Sequence, residues 1–268
     1  MPPTRLRAPL RLLPFAALLA ALGTFAVLSA ADPAVPAQPK SKETLVGGRP
    51  LFADWPANQK PDAAIVFTGQ TYGMLQPCGC SRPQTGGLER RAQFITGLRD
   101  KGWPVAGIDL GDLYPEKVAV RDQARLKYTA TMNALRDMGY VAVGVGQTDL
   151  TGGLDSLLGA YALQKEQPPY ILAGNAVGLG APGADGAPKI IPRLERFPTP
   201  PGATRPLVGS AEVVEVGGVP VGVAGVVGTP LALAARQAKL DTSVDFGPVG
   251  DALKAAAKEL ESHKQKPR

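Results

Sequence analysis

The sequence predicts an α/β domain built from layers of strands and helices. Short apolar runs typical of buried strands alternate with segments whose apolar residues recur at helical spacing. No segment repeats at a fixed period, which argues against a repeat architecture. The composition is 44% hydrophobic and 19% charged, which is typical of a globular protein and argues against a disordered chain or a coiled coil.

The predicted elements begin with a strand at residues 63–68, an apolar run followed by a loop rich in Gly and Pro. A helix is predicted from Leu88 to Leu98, because apolar residues recur there every three to four positions and Gly102 is placed to end it. Further strands are expected at residues 105–110, 140–145 and 170–176, and further helices at residues 121–138 and 248–262.

The second half of the chain carries one strong hairpin signal. Two β-rich runs at residues 211–216 and 219–227 are joined by Gly217-Gly218, and a Gly-Gly pair suits a tight turn between antiparallel strands. Between residues 177 and 206 the chain has many Gly and Pro residues, so we expect a long surface excursion there.

The N-terminal residues 1–31 are typical of an export signal. Three arginines precede an apolar run over residues 12–28, and small residues follow it. A retained membrane anchor is the alternative, because about 17 apolar residues are the shortest run that crosses a bilayer. We therefore expect an exported protein, periplasmic or attached to the cell envelope, with contact to the membrane only through this segment.

The remaining chain divides into a Pro-rich linker at residues 32–61, a domain at 62–262 and a basic tail at 263–268. Loss of residues 1–31 removes three positive and no negative charges, so the net charge falls from +6 to +3. A charge this small does not indicate nucleic-acid binding.

The sequence argues against two kinds of nucleotide-binding site. Residues 178–183 match G-x-G-x-x-G, but Pro182 and the glycines around it do not open the helix that a dinucleotide site requires. No G-K-[ST] sequence is present, which excludes a P-loop.

Cys78-Gly79-Cys80 is compatible with three interpretations. The thiols form a small strained disulfide that shapes the loop, chelate a soft metal or act in redox chemistry, or pair with another chain. The spacing differs from the C-x-x-C-H of covalent haem attachment.

Asp109-Leu110-Gly111-Asp112 follows a predicted strand. Carboxylates at strand ends are common metal ligands, and Gly111 would let the backbone approach an ion closely. A helix-capping aspartate is the alternative, because this short motif is not specific.

The order of these pieces along residues 63–262 resembles the calcineurin-like metallophosphoesterases, especially their exported 5′-nucleotidase-like branch. The family motifs are D-x-H-G, G-G-L-x-R, G-D, N-A-L before G-Y, and G-N-H-E. The matching segments here are Gln70-Thr71-Tyr72-Gly73, Gly86-Gly87-Leu88-Glu89-Arg90, Gly111-Asp112, Asn133-Ala134-Leu135 before Gly139-Tyr140, and Gly146-Gln147-Thr148-Asp149. A later strand that ends near Asn175 also resembles the family.

The resemblance implies two metal ions held by Asp, His and Asn side chains, but most of these ligands are replaced. Gln70 and Tyr72 stand for the first Asp and His, Gln147 for the Asn and Thr148 for the catalytic His, while Asp112 is kept. The family pattern gives Asp109 and Asp149 no ligand role. His263, the single histidine of the chain, lies in the tail and matches none of the family's histidines.

We therefore expect no phosphoesterase activity of the usual two-metal kind. The resemblance implies a β-sandwich flanked by helices and left incomplete. Either the fold is reduced, or the sequence is a fragment, or self-association or a partner completes the sheet. The site is expected to bind at most one divalent or soft ion, held by Cys78, Cys80 and a carboxylate. The alternatives are an active nucleotide phosphohydrolase with an altered ligand set and a non-enzymatic binding module of the cell envelope.

Overall fold

A computed structural model describes residues 45–46, 49–50, 52, 55–56, 59–77, 86–161, 168–202, 205–264 and 267. The described residues belong to one compact unit, residues 41–268. The predicted export signal, with its apolar run at residues 12–28, lies outside the described residues. In the part of the chain that the structure describes, no helix is long and apolar enough to cross a membrane.

The strands are β1 (Leu45–Val46), β2 (Arg49–Pro50), β3 (Ala64–Thr68), β4 (Val105–Asp109), β5 (Tyr140–Val143), β6 (Tyr170–Ile171), β7 (Ala176–Pro182), β8 (Pro188–Ile191), β9 (Ala211–Val216), β10 (Val219–Ala224) and β11 (Val244–Phe246). The helices are α1 (Leu88–Asp100), α2 (Arg121–Asp137), α3 (Gln147–Gly152), α4 (Leu154–Ala160), α5 (Arg193–Arg196), α6 (Thr229–Ala238) and α7 (Val249–Glu261).

The main sheet has four parallel strands in the order β3-β4-β5-β6. Thr68 pairs with Asp109, and Asp109 pairs with Val143, so the carboxyl ends of three strands meet at one edge of the sheet. This register places the loops after β3, β4 and β5 side by side.

Successive residues of β4 contact different cores, because side chains alternate across a strand. Val105 packs with the large core that includes Ile95 of α1 and Leu135 of α2. Ile108 packs with a second core that includes Val223 of β10. Helices α1 and α2 therefore cover one face of the main sheet, and the β9–β10 hairpin covers the other.

Helix α7 lies on the outer side of the hairpin. A side chain at Gly222 of β10 would come within 3.1 Å of Leu260, and Ser210 beside β9 bonds to Glu259. The layers are therefore helices, parallel sheet, antiparallel hairpin and helix. This arrangement confirms the predicted layered α/β sandwich, with a second sheet reduced to two strands at this position.

The structure corrects the prediction of a surface excursion at residues 177–206. Strands β7 and β8 pair there in an antiparallel sheet of order β11-β7-β8. The glycines of β7 serve close packing, since a Cβ at Gly178 would lie 2.5 Å from Cδ of Arg196. The predicted strand at 170–176 is also shorter, because after Ile171 the chain turns to pair with Gly209.

The predicted linker at residues 32–61 is in part packed on the domain. The Phe52 and Trp55 rings lie 5.2 and 5.1 Å from the Trp103 ring, centroid to centroid. Trp55 also donates a hydrogen bond from its ring nitrogen to the carbonyl of Gln59. The Pro-rich composition does not predict this aromatic contact, because the contact depends on Trp103, about fifty positions further along the chain.

The hairpin leaves the β3 end of the main sheet uncovered, and two large apolar side chains there are open to solvent. Phe67 is 63% exposed and Leu110 is 64% exposed. Strand β3 is also an edge strand of this sheet. An apolar surface beside an unpaired strand edge favours association between molecules.

We expect the purified protein to self-associate through this surface. Phe67→Ser combined with Leu110→Ser should shift the population toward monomer in light scattering at micromolar concentration. Leu126→Ser is the matched control, because Leu126 is 71% exposed on α2. A monomeric wild-type protein with a sharp, cooperative melt would contradict the expectation.

Candidate functional site

Two loops at the carboxyl edge of the main sheet run side by side. Gln70 N donates to the carbonyl of Gly111 (2.9 Å), Tyr72 N donates to that of Asp112 (2.8 Å), and Gly73 N donates to that of Leu113 (2.9 Å). This pairing brings together Gln70, Tyr72 and Asp112, three of the residues that the family resemblance placed in the site.

The backbone of these paired loops is strained at three positions. Gln70, Tyr72 and Asp112 have φ values of 56°, 49° and 59°, in the left-handed region that non-glycine residues rarely adopt. Each such residue costs roughly 1–3 kcal/mol and persists only where the surroundings fix it. The hydrogen bonds between the loops supply that constraint, and strain of this kind clusters at functional sites.

Asp112 contacts the N-terminus of α3. Its Oδ1 accepts hydrogen bonds from Thr148 N (2.9 Å) and from Thr148 Oγ1 (3.3 Å). Glycine is required beside it, because a Cβ at Gly146 would lie 2.3 Å from this same oxygen. Gln147, next in the chain, is exposed at the surface. Asp112 and Thr148 therefore meet directly, with one carboxylate oxygen already bonded.

Gly111 allows two backbone segments to approach each other closely. From the sequence, we expected this glycine to let the backbone approach an ion. Its φ is 100°, and a Cβ there would lie 2.5 Å from the backbone nitrogen of Gly146. The loops after β4 and β5 are therefore in direct contact at this glycine.

The carboxylate of Asp149 is buried beneath these loops. It accepts hydrogen bonds from the backbone N–H groups of Asp112 (2.8 Å), Leu113 (3.0 Å), Tyr114 (3.0 Å) and Gly146 (2.9 Å). Burial raises the pKa of Asp149 to about 6, although these backbone donors act to lower it. Both carboxylate oxygens accept backbone N–H bonds, so these donors stabilise the ionised form.

Asp109 is the second buried carboxylate at this edge, and its partner is a cation from α1. Arg91 Nη1 lies 2.9 Å from Asp109 Oδ2, and Arg91 Nη2 donates to Thr71 Oγ1 at 3.0 Å. The Thr68 hydroxyl donates to the same Asp109 oxygen at 2.6 Å. The ring of Tyr140 lies under the guanidinium, 5.9 Å away. Asp109 is thus neutralised by Arg91 within the fold.

The sequence interpretation missed Arg91. The motif comparison included Arg90 and assigned Arg91 no role. Arg91 follows Leu88 by three positions and precedes Ile95 by four, which puts it on the buried face of α1. This spacing from Leu88 and Ile95 was the sequence signal that could have placed Arg91 on the buried face.

Asn175 bonds to two connecting segments. Its Nδ2 donates to the carbonyls of Val227 (2.9 Å) and Gly247 (3.1 Å), and its Oδ1 accepts from Val227 N (2.8 Å). The side chain is buried. These contacts fix the turns after β10 and β11. They also give both the nitrogen and the oxygen of the amide group a hydrogen-bond partner.

Cys78 and Cys80 lie outside the described residues. The described residues before and after their segment are joined by a hydrogen bond from Leu88 N to the carbonyl of Leu75, at 3.0 Å. Within the described ranges, no group of three or more His, Cys, Asp and Glu side chains could hold a metal ion.

Among the described residues, the donors at this edge do not fit a pair of divalent ions. Such a centre needs several anionic or imidazole ligands to hold two cations about 3.5–4 Å apart. Asp112 offers a single carboxylate, already bonded through one oxygen, while Gln70 and Gln147 offer neutral amides. Partial desolvation and the nearby carboxylates of Asp112 and Glu116 raise the pKa of the Tyr72 phenol, so it stays neutral at pH 7.

No protein-family model matches the chain, and a search of curated proteins finds no match either. Several solved structures are similar. The 5′-nucleotidase precursor of Thermus thermophilus is 20% identical, with a TM-score of 0.46, and the match covers 73% of this chain and 34% of that one. The NAD nucleotidase of Haemophilus influenzae is 14% identical, with a TM-score of 0.46 and coverages of 74% and 31%.

The sulfate thiohydrolase SoxB of Thermus thermophilus is 13% identical, with a TM-score of 0.49 and coverages of 74% and 41%. The chain thus spans 31% to 41% of the length of these three structures. Two of the three are nucleotidases by name.

The Asp149 contacts generate a stability prediction. Asp149→Asn replaces one acceptor oxygen by an NH₂ group that faces backbone donors, so buried N–H groups lose their partners. The free energy of unfolding at pH 7.5 should fall by about 2–4 kcal/mol, measured by urea denaturation. Asp137→Asn is the control, since that side chain is 70% exposed. Equal stability of the two variants would show that Asp149 does not hold the loops.

Proposed function

We propose that this chain is an exported, 5′-nucleotidase-like metallophosphoesterase domain whose strand-end site does not carry out two-metal phosphoester hydrolysis. The site instead serves as a binding surface. The order of motifs along residues 63–262 supports the family, and the paired loops that contain Gln70, Tyr72 and Asp112 support a retained site. The basic and apolar N-terminal segment supports export.

The proposal rests on one observation: two of the carboxylates at this edge are already bonded to groups of the protein itself. Asp109 is paired with Arg91, and Asp149 is saturated by backbone N–H groups. Of the carboxylates in the D-x-G-D motif and in α3, only Asp112 is left to bind a metal ion. Recruiting Asp109 or Asp149 to a metal would break a buried pair or strip several backbone donors of their acceptor, at a cost of several kcal/mol.

A phosphatase assay tests this proposal directly. Purified protein with Mn²⁺ or Zn²⁺ should hydrolyse neither p-nitrophenyl phosphate nor a nucleoside monophosphate above the rate of the metal alone. Asp112→Ala should leave that background unchanged, as should Asp122→Ala, an exposed carboxylate of α2.

A metal-dependent rate that is lost in Asp112→Ala and kept in Asp122→Ala would contradict the proposal. That result would support the alternative of an active phosphohydrolase with an altered ligand set, acting on nucleotides. Retention in the cell-envelope fraction without such a rate would favour a binding module.

A finer part of the proposal concerns the thiols. The described chain before residues 78–85 lies beside Asp112, because Tyr72 N donates a hydrogen bond to the Asp112 carbonyl, and Leu88 N, after this segment, donates one to the carbonyl of Leu75 before it. We propose that Cys78, Cys80 and Asp112 hold one soft or borderline ion, because thiolates favour Zn²⁺ or Cu(I).

Metal analysis of the reduced protein tests the ion site. The wild type should bind one equivalent of Zn²⁺, and the double variant Cys78→Ser/Cys80→Ser should lose it. Asp122→Asn is the control, because Asp122 is an exposed carboxylate of α2. Equal metal content in the wild type and the double variant would end this part of the proposal and leave the disulfide interpretation of the loop.

A further inference from the structure

A cleft of about 420 Å³ lies between the first turn of α2, the junction of α3 and α4, and the turn before β11. Tyr114 forms part of its wall and packs on Gly152, where a Cβ would lie 2.9 Å from the ring. Charged side chains of both signs line the remainder. The volume falls in the range of small-molecule sites, about 300–1,000 Å³.

Two carboxylates of the cleft are paired with cations. Asp122 bonds to Arg125, one turn along α2. Asp155 at the start of α4 bonds to Arg196. Each carboxylate therefore has a cation within the protein, and neither requires one from a ligand.

The third carboxylate, Asp241, is occupied by neutral donors. Its Oδ2 accepts from Leu154 N (2.9 Å), and its Oδ1 accepts from Ser243 N (2.9 Å) and Ser243 Oγ (2.7 Å). Its oxygens thus order the wall of the cleft by fixing the start of α4 and the turn before β11.

Arg121 is different from these groups. Among the described residues, its guanidinium makes no hydrogen bond or ion pair, although it lines the cleft. Arg125 lies four positions along, on the same side of α2, and its Nη1 donates to Ser156 Oγ at 3.3 Å. The Ser156 hydroxyl keeps its own proton for a further bond. The groups left available in the cleft are therefore donors.

We propose that this cleft binds a small molecule through a carboxylate or phosphate group held by Arg121, with Ser156 and Arg125 as neighbouring donors. A guanidinium presents paired N–H donors that match two oxygens of either group. The mixed charges around it favour a ligand with one anionic group over a polyanion. This inference does not depend on the strand-end site or on hydrolysis.

Isothermal titration of the full chain in 100 mM KCl tests the proposal, with inorganic phosphate and acetate as separate probes. At least one probe should bind saturably, and Arg121→Gln should weaken that binding tenfold or more. Arg90→Gln is the matched control, because Arg90 is exposed on α1, outside the cleft. The probe that binds identifies the group that the site prefers.

Two results would overturn the proposal. One is the absence of saturable binding of either probe to the wild type. The other is equal affinity of the wild type and Arg121→Gln. Matching thermal melts of the variants establish that a loss of binding is not a loss of fold, and Ser156→Ala, expected to weaken binding by a smaller factor, provides an independent change in the same wall.

Discussion

The carboxylate of Asp149 is the constraint on which the strand-end loops depend. A single buried group accepts hydrogen bonds from four backbone N–H groups on two loops, and so fixes the path of residues 112–114 against the start of α3. That path sets the left-handed backbone of Asp112, which in turn pairs with the loop of Tyr72. The shape of the site follows from an internal anion whose partners all belong to the backbone.

Arg91 has the same effect on the other side of the edge. It neutralises Asp109, where a free carboxylate would otherwise be buried at high cost, and it reaches Thr71 in the first loop. Together Asp149 and Arg91 satisfy the charges at the sheet edge from within the protein. We therefore propose that the loops do not require a metal pair to hold them in place, and that the ligand set at Gln70, Asp112 and Gln147 does not bind one.

The sequence predicted the elements whose signal is local. Periodicity and turn residues identified β3, β4, β5, α1, α2, α7 and the β9–β10 hairpin, all of which the structure confirms. Strands β7 and β8 were missed because their glycines and prolines indicate a loop, while packing against Arg196 favours a strand. Apart from Gly146, three positions from Asp149, these partners of Asp149 and Arg91 lie 18 to 37 positions away, and no local pattern specifies them.

Hydrogen exchange at the amides of Leu113 and Tyr114 is the most direct measurement of whether internal groups alone maintain these loops. Both amides donate to Asp149, so their protection reports on the loop itself. We predict the same protection in excess EDTA and in saturating Mn²⁺. Protection that is lost in EDTA and restored by Mn²⁺ would show that metal ions hold the site and would contradict the account.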